Sequence, residues 1–359
     1  MTRQPEISVI ILTGGRLQKL KQCLSSLCDT STAVPHFFEI IVAVNGRDRP
    51  AEEFIKGEAE RDPRIRPLFI DCRRCRGEAR NSAIDAARGK FLLFLDDDIT
   101  VPDGFFSGLL KKTAENTEFS VFGGSQDLPL FPASAFQTAS NAAFSSVFGG
   151  GIFRKRYGSS AADFEASEAD LCLCNLAIRR EILEGPALRF EGHLTSGEEN
   201  LLLARLSSAG VRMLHCAELA VFHERRVSPA GLAGQVFKMG MGRAEMTGIM
   251  PGSLRLFACL PAIGLALVCV FVFLGLWRVL LTACAAYAAA LGAGGARFAV
   301  KEGGGVSGFF LFCVSCVCIH VSYGAGFLWG AGQWLLESPA PGRKKNRRCV
   351  CEGTYEKKS

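Results

Sequence analysis

The run Phe91-Leu92-Leu93-Phe94-Leu95 leads straight into three consecutive carboxylates, Asp96, Asp97 and Asp98. Adjacent carboxylates repel one another, so a chain that keeps them together has to neutralise them. A hard divalent cation such as Mn2+ or Mg2+ does this well. It binds through one or two carboxylates, keeps several waters and takes further oxygens from substrate phosphates. A second pair of acids, Glu198 and Glu199, follows Gly197 at the start of a helical pattern. Acids there complement the helix dipole, and the same residue type is what general-base chemistry requires. His223 closes the apolar pair Val221-Phe222. The spacing Cys72-Arg73-Arg74-Cys75 is that of half a zinc site, but no convincing second pair completes it.

The elements that must position these groups follow from hydrophobic periodicity. Residues 7–12, 37–44, 66–71 and 91–95 read as short apolar strands. Residues 17–27, 52–60 and 77–88 read as helices between them, the first with Leu17, Leu20, Leu24 and Leu27 on one face. Strand and helix alternate with short connections, which predicts an α/β fold on a doubly wound, mostly parallel sheet. In such sheets ligands bind beyond the carboxyl ends of the strands, where the three aspartates stand. Further on, residues 171–178 and 212–222 read as strands and 198–209 as a helix ended by Gly210.

The apolar content is concentrated. Between residues 251 and 338 the charged residues are Arg255, Arg278, Arg297, Lys301, Glu302 and Glu337. The uncharged run 256–277 is long enough, at about 1.5 Å per residue, to cross a hydrocarbon core of roughly 30 Å. Runs 279–296 and 303–336 are further candidates, the first shorter and rich in Ala and Gly. The expected organisation is a catalytic domain over 1–250, a transmembrane helical region over 251–338 and a basic tail over 339–359. The tail carries Arg343-Lys344-Lys345-Asn346-Arg347-Arg348, which favours the cytoplasmic side. Residues 1–6 are polar and no signal peptide is visible. This predicts a multi-pass protein of the inner (cytoplasmic) membrane with its catalytic domain in the cytoplasm. The tail lacks the aromatic interleaving of a nucleic-acid site, so no nucleic-acid partner is expected.

Over about residues 7–243 the chain resembles the family-2 glycosyltransferases of the GT-A fold, in the membrane-attached bacterial type with C-terminal transmembrane helices. The most specific match is Arg76-Gly77-Glu78-Ala79-Arg80-Asn81-Ser82-Ala83, followed by the 91–95 strand and Asp96-Asp97-Asp98. The resemblance implies that Asp98 ligates the metal with Asp96 and His223. It also implies that Thr13, Arg16, Asn45, Arg80, Asn81, Asp96 and Asp97 serve the donor side, with Asp97 the most structural of the acids. Asn175, in Cys174-Asn175-Leu176-Ala177-Ile178-Arg179-Arg180, matches an acceptor-side segment. Glu198 and Glu199 correspond to a segment holding the catalytic base, with the choice between them open. Val44 stands where the family has an acid facing the nucleotide base. Gln235-Val236-Phe237-Lys238-Met239 departs from the motif of processive synthases, which implies addition of single sugars.

The function this implies is inverting, metal-dependent transfer of a sugar from a nucleotide-sugar donor. The acceptor is a lipid-linked or membrane-proximal saccharide in envelope or exopolysaccharide assembly. A polyprenyl-phosphate glycosyltransferase, favoured by a basic acceptor site, is the alternative among enzymes. An inactive membrane scaffold of the same fold is the alternative from another class.

Overall fold

The computed structural model describes residues 5–31, 38–127 and 133–337. The basic tail expected over 339–359 lies outside them. Four strands come first: β1 (Ile7–Thr13), β2 (Phe38–Asn45), β3 (Ile65–Ile70) and β4 (Phe91–Asp96). They alternate with α1 (Leu17–Ser31), α2 (Arg49–Arg61) and α3 (Arg76–Ala86). The expected alternation is thus present, with boundaries moved by a few residues.

Next come β5 (Ile99–Thr100), α4 (Phe105–Glu115), β6 (Val121–Gly123), β7 (Gln126–Asp127), α5 (Ala135–Ser145), β8 (Phe164–Glu165) and β9 (Asn175–Arg179). The domain closes with α6 (Glu198–Ser208), β10 (Met213–His215) and β11 (Val221–His223). The main sheet has the order β3-β2-β1-β4-β9-β6-β10-β8, and β5-β11-β7 form a smaller one. From β3 to β4 all pairings are parallel. Beyond β4 the sheet is mixed, because β9 runs antiparallel to both β4 and β6.

Two sequence expectations change here. The strand expected over 171–178 begins only at Asn175, and residues before it turn into the cavity described below. The strand expected over 212–222 is two short strands separated by a 3-10 turn, Ala217–Leu219. The first stays in the main sheet and the second leaves it to pair with β5 and β7. An apolar run cannot reveal such a change of sheet, because both halves are buried.

Alternate strand residues point to opposite faces, and each face has its own core. Val9, Ile11, Ile40, Val42, Leu93 and Leu95 share one cluster with Leu20 and Leu24 of α1 and Phe105 and Phe106 of α4. Ile10, Ile41, Leu92 and Phe94 share the other with Ala83 of α3 and Leu202 and Leu206 of α6.

The chain ends in α7 (Pro229–Ile249), α8 (Leu256–Phe273), α9 (Trp277–Lys301) and α10 (Gly305–Glu337). The start of α7 is set by Ser228, whose hydroxyl accepts from Gly231 N, and by Pro229 at the first helical turn. The last three are long and apolar enough to cross a membrane. Their exposed faces carry Leu256, Phe257, Phe273, Leu281, Val306 and Phe310, a surface suited to lipid rather than water. They are not a separate body. A third core joins Phe136 and Phe144 of α5 and Leu232 and Val236 of α7 to Leu291, Phe298, Phe312 and Ile319 of the apolar helices. Arg255, just before α8, makes two 2.7 Å hydrogen bonds to buried Glu168.

Candidate active site

Sheet register gathers the acids. Leu12 lies opposite Asp96 in the parallel pair β1–β4, and Thr13 opposite Val44 in β1–β2. Thr13, Asn45 and the three aspartates therefore leave the sheet at one edge. Thr13 donates its hydroxyl to Asp97 at 2.6 Å. Arg16, in the loop after β1, donates to both Asp97 and Asp98. Asp97 is fully buried, and burial pushes its carboxyl up to about 6 against the pull of Arg16. Asp98 moves the other way. Burial opposes its ionisation, but the hydrogen bond and charge of His223, with Arg16, hold it well below the usual carboxylate range.

His223 arrives by way of the smaller sheet. β11 pairs antiparallel with β5, with His223 opposite Ile99. Its Nε2 lies 3.3 Å from Asp98 Oδ1, and its Nδ1 is buried without a hydrogen-bond partner. Asp96, Asp98 and His223 each offer a ligand atom, all within 4.8 Å of one another. Among the described residues no other such cluster of three occurs. Two carboxylates and an imidazole, one ring nitrogen still unpaired, form a donor set that fits a divalent cation.

The Glu198–Glu199 pair divides into two roles by its surroundings. Glu198 is buried and accepts from Arg80 and, at 3.3 Å, from Arg76. Burial favours its neutral form, but the two arginines outweigh this and hold its carboxyl below its ordinary value. Arg80 also lies 3.6 Å from Asp96 Oδ1, so one buried guanidinium ties the metal-side acid to the helix start of α6. Glu199 faces the cavity. Burial first, then the charge of Glu198, raise its carboxyl above the ordinary range. A carboxylate tuned upward accepts a proton more readily at neutral pH.

These groups meet in a cavity of about 210 Å³. Asp96, His223, Glu198 and Glu199 line it from the α/β domain, and Met239, Gly242, Arg243 and Met246 of α7 with Tyr323 of α10 line it from the C-terminal helices. Arginine dominates its polar wall, with Arg76, Arg80, Arg156, Arg225, Arg226 and Arg243. Several are held in place. Arg156 donates to Ala169 O at 2.8 Å and to Asn200 Oδ1 at 2.5 Å. Arg225 donates to the side chain and carbonyl of Gln126 at 2.7 and 3.0 Å. Arg243 is buried and donates to Met246 Sδ at 3.4 Å, and the Tyr323 hydroxyl is buried without a partner.

The asparagines named from the sequence bind backbone instead of facing the cavity. Asn45 exchanges two 2.9 Å hydrogen bonds with the backbone of Arg74. Asn81 does the same with Phe190, at 2.9 and 3.1 Å. Asn175 is buried and donates to Ser125 O at 3.2 Å and Leu219 O at 2.6 Å. Each fixes a loop that carries other site residues. Sequence reading gave no role to Arg156, Arg225, Arg243 or Tyr323. Their spacing in the chain has no pattern, and only the packing of α7 and α10 on the domain brings them together.

Residues 8–184 match the family described as Glycosyl transferase family 2. The chain thus carries a family 2 glycosyl transferase domain. It is 38% identical over 103 residues to an uncharacterized glycosyltransferase of Methanocaldococcus jannaschii, covering 28% of this chain and 34% of that protein. It is 28% identical over 230 residues to the O-antigen biosynthesis protein RfbC of Myxococcus xanthus, covering 62% of this chain and 18% of that protein. The match thus spans about a third or less of these curated relatives. Among solved structures, a mannosyltransferase of Pyrobaculum calidifontis in complex with GDP-Man and Mn2+ superposes with a TM-score of 0.60 at 15% identity, covering 91% of this chain and 88% of that one. That likeness is one of fold, a GT-A-like α/β domain followed by apolar helices.

Proposed function

We propose that this chain is a membrane-attached, metal-dependent, inverting glycosyltransferase. It moves one sugar from a nucleotide-sugar donor to a lipid-linked saccharide acceptor in envelope polysaccharide assembly. The observation that carries this reading is the division of roles around one cavity. Asp96, Asp98 and His223 form a cation-binding set, and Glu199 waits across the cavity with a raised carboxyl. Asp96, Asp98 and His223 would hold a divalent ion, which would supply positive charge for the leaving diphosphate. Arg16 holds Asp97 and Asp98 and keeps the acids from repelling one another. Glu199 takes the proton of the acceptor hydroxyl while that oxygen bonds to the anomeric carbon and the bond to the diphosphate breaks. Glu198, held by Arg80 and Arg76, orients the start of α6 so that Glu199 points at the acceptor. The Mn2+ and GDP-Man of the Pyrobaculum enzyme and the O-antigen role of the Myxococcus relative support the donor class and the pathway class. The three apolar helices support a multi-pass placement.

The arginine-lined cavity supports a second reading, in which the acceptor is a polyprenyl phosphate. Buried Arg243 and unpartnered Tyr323 offer a cation and a hydroxyl to a phosphate near the membrane helices. A phosphate is already ionised at neutral pH and needs no base, so the two readings make opposite demands on Glu199. The testing experiment incubates purified full-length protein with a panel of nucleotide sugars, with and without Mn2+ or Mg2+. Metal-dependent release of the nucleoside diphosphate is expected. Its complete absence across the panel would favour an inactive scaffold.

A further inference from the structure

Two thiols in the cavity wall take no part in the proposed transfer. Cys172 and Cys174 stand where the chain turns into β9, both are buried, and both line the cavity. Their sulfurs lie 3.1 Å apart. A disulfide bond is about 2.05 Å long, so the pair is about 1 Å from bonding distance. Each sulfur also approaches Asn175 Oδ1, at 3.8 and 4.0 Å.

The pair is asymmetric. The hydrogen bond shared with Cys174 holds the Cys172 thiol below its ordinary value against the effect of burial, and Arg156 adds to it. Cys174, which shares that hydrogen bond and is itself buried, is held well above its own value. Two thiols 3.1 Å apart in one cavity wall supply the attacking and the resolving sulfur that disulfide formation requires. Buried Cys216 differs, because burial pushes its thiol up to about 12.

We propose that Cys172 and Cys174 form an oxidisable dithiol site, which a small hydroperoxide converts to a disulfide that shuts down the cavity. The Cys172 sulfur attacks one peroxide oxygen and the O–O bond breaks. The other oxygen takes a proton and leaves as water or an alcohol, and Cys172 becomes a sulfenic acid. The Cys174 sulfur then attacks that sulfur, an S–S bond forms, the S–O bond breaks, and the departing hydroxide takes the Cys174 proton to leave as water. The two sulfurs give up two electrons, which reduce the peroxide.

The consequence for the site follows from Asn175. It is bonded to Cys174 and holds Leu219 O at 2.6 Å, just before the strand that carries His223. Little slack exists around it, since a Cβ on Gly123 would already stand 3.1 Å from Asn175 O. Drawing Cys174 toward Cys172 shifts Asn175, and through Leu219 the strand that sets His223 against Asp98.

Trypsin gives a direct readout, because peptide 157–179 contains Cys172 and Cys174 and no other cysteine. Full-length protein in lipid nanodiscs is titrated with hydrogen peroxide, alkylated and digested. The expected result is a 157–179 peptide that has lost two hydrogens and resists alkylation, reversed by dithiothreitol. Metal-dependent donor turnover should fall in step by about tenfold or more, while Cys172→Ser, compared with its own unoxidised activity, changes by less than about twofold. Full alkylation of that peptide at a dose that oxidises exposed Cys72 would overturn the proposal. So would formation of the disulfide with turnover unchanged. The peptide measurement is independent of the transferase reading, and wild-type protein alone decides it if the serine variant does not fold.

Discussion

Glu199 carries two consequences that pull in opposite directions. As the proposed base, its replacement by Gln should lower turnover by about 10²–10⁴ while donor affinity stays near that of the wild type. Turnover should rise with pH through an inflection above the ordinary glutamate range, because burial and Glu198 raise the carboxyl. The same shift bears on stability. An acid whose folded-state value is raised binds its proton more tightly when folded, so ionising it costs stability once pH exceeds the unfolded value. Glu199→Gln should therefore melt higher than wild type at pH 7, and the difference should vanish as pH falls below about 4.3. A melting point below wild type at pH 7 would count against the raised carboxyl. Near-wild-type turnover in Glu199→Gln would favour a phosphate acceptor. Asp98→Ala should remain folded, because Asp98 lies at the sheet edge, yet lose metal-dependent turnover. Its loss of Mn2+ binding can be followed by titration calorimetry.

Among the elements, α7 is the one that joins the two halves of the molecule. A Cβ on Gly242 would stand 2.0 Å from Ser196 O, in the loop that ends at Glu198 and Glu199. A Cβ on Gly240 would stand 2.2 Å from Tyr323 O in α10. Replacing a helical glycine by alanine ordinarily stabilises by up to about 1 kcal/mol. Gly234→Ala, with open space at its Cβ, should follow that rule. Gly242→Ala should reverse it, lowering both melting temperature and turnover, because backbone on both sides has to give way. Equal effects from the two substitutions would remove the argument for contact.

Much of this was legible in the chain. The strand-then-carboxylate pattern located Asp96 and Asp98, and the parallel alternation located the sheet edge. His223 was found at the end of its strand, although the change of sheet that delivers it was hidden. The arginine wall was not legible. Arg156, Arg225 and Arg243 belong to segments that meet only through tertiary packing, and a lone arginine carries no periodic signal. The asparagines were found as polar residues near the site. A sequence cannot tell an amide that binds a ligand from one that binds the backbone of a neighbouring loop.

At the scale of the whole molecule, the second half of α10 runs alongside α7. Gly326 approaches Phe237 O and Gly330 approaches Met241 O closely enough that a Cβ would stand 2.0 and 2.9 Å away. The end of α10 is therefore packed beside the helix that borders the catalytic cavity. A protease site placed after Arg343 should be protected in intact cells and cut in inverted vesicles. Cutting from outside with the domain protected would place the two on opposite faces.

The third core, shared between α5, α7, α9 and α10, also sets how such a protein can be recombined. A fragment ending near residue 250 would leave Phe136, Leu232 and Val236 facing water and the cavity without its Tyr323 wall. Exchanging the donor-binding half between relatives, in a laboratory or a genome, should succeed only when α7 and the apolar helices travel with it. Seams drawn by hydropathy alone should yield insoluble or silent hybrids. The unit of inheritance is the catalytic sheet together with its own patch of membrane.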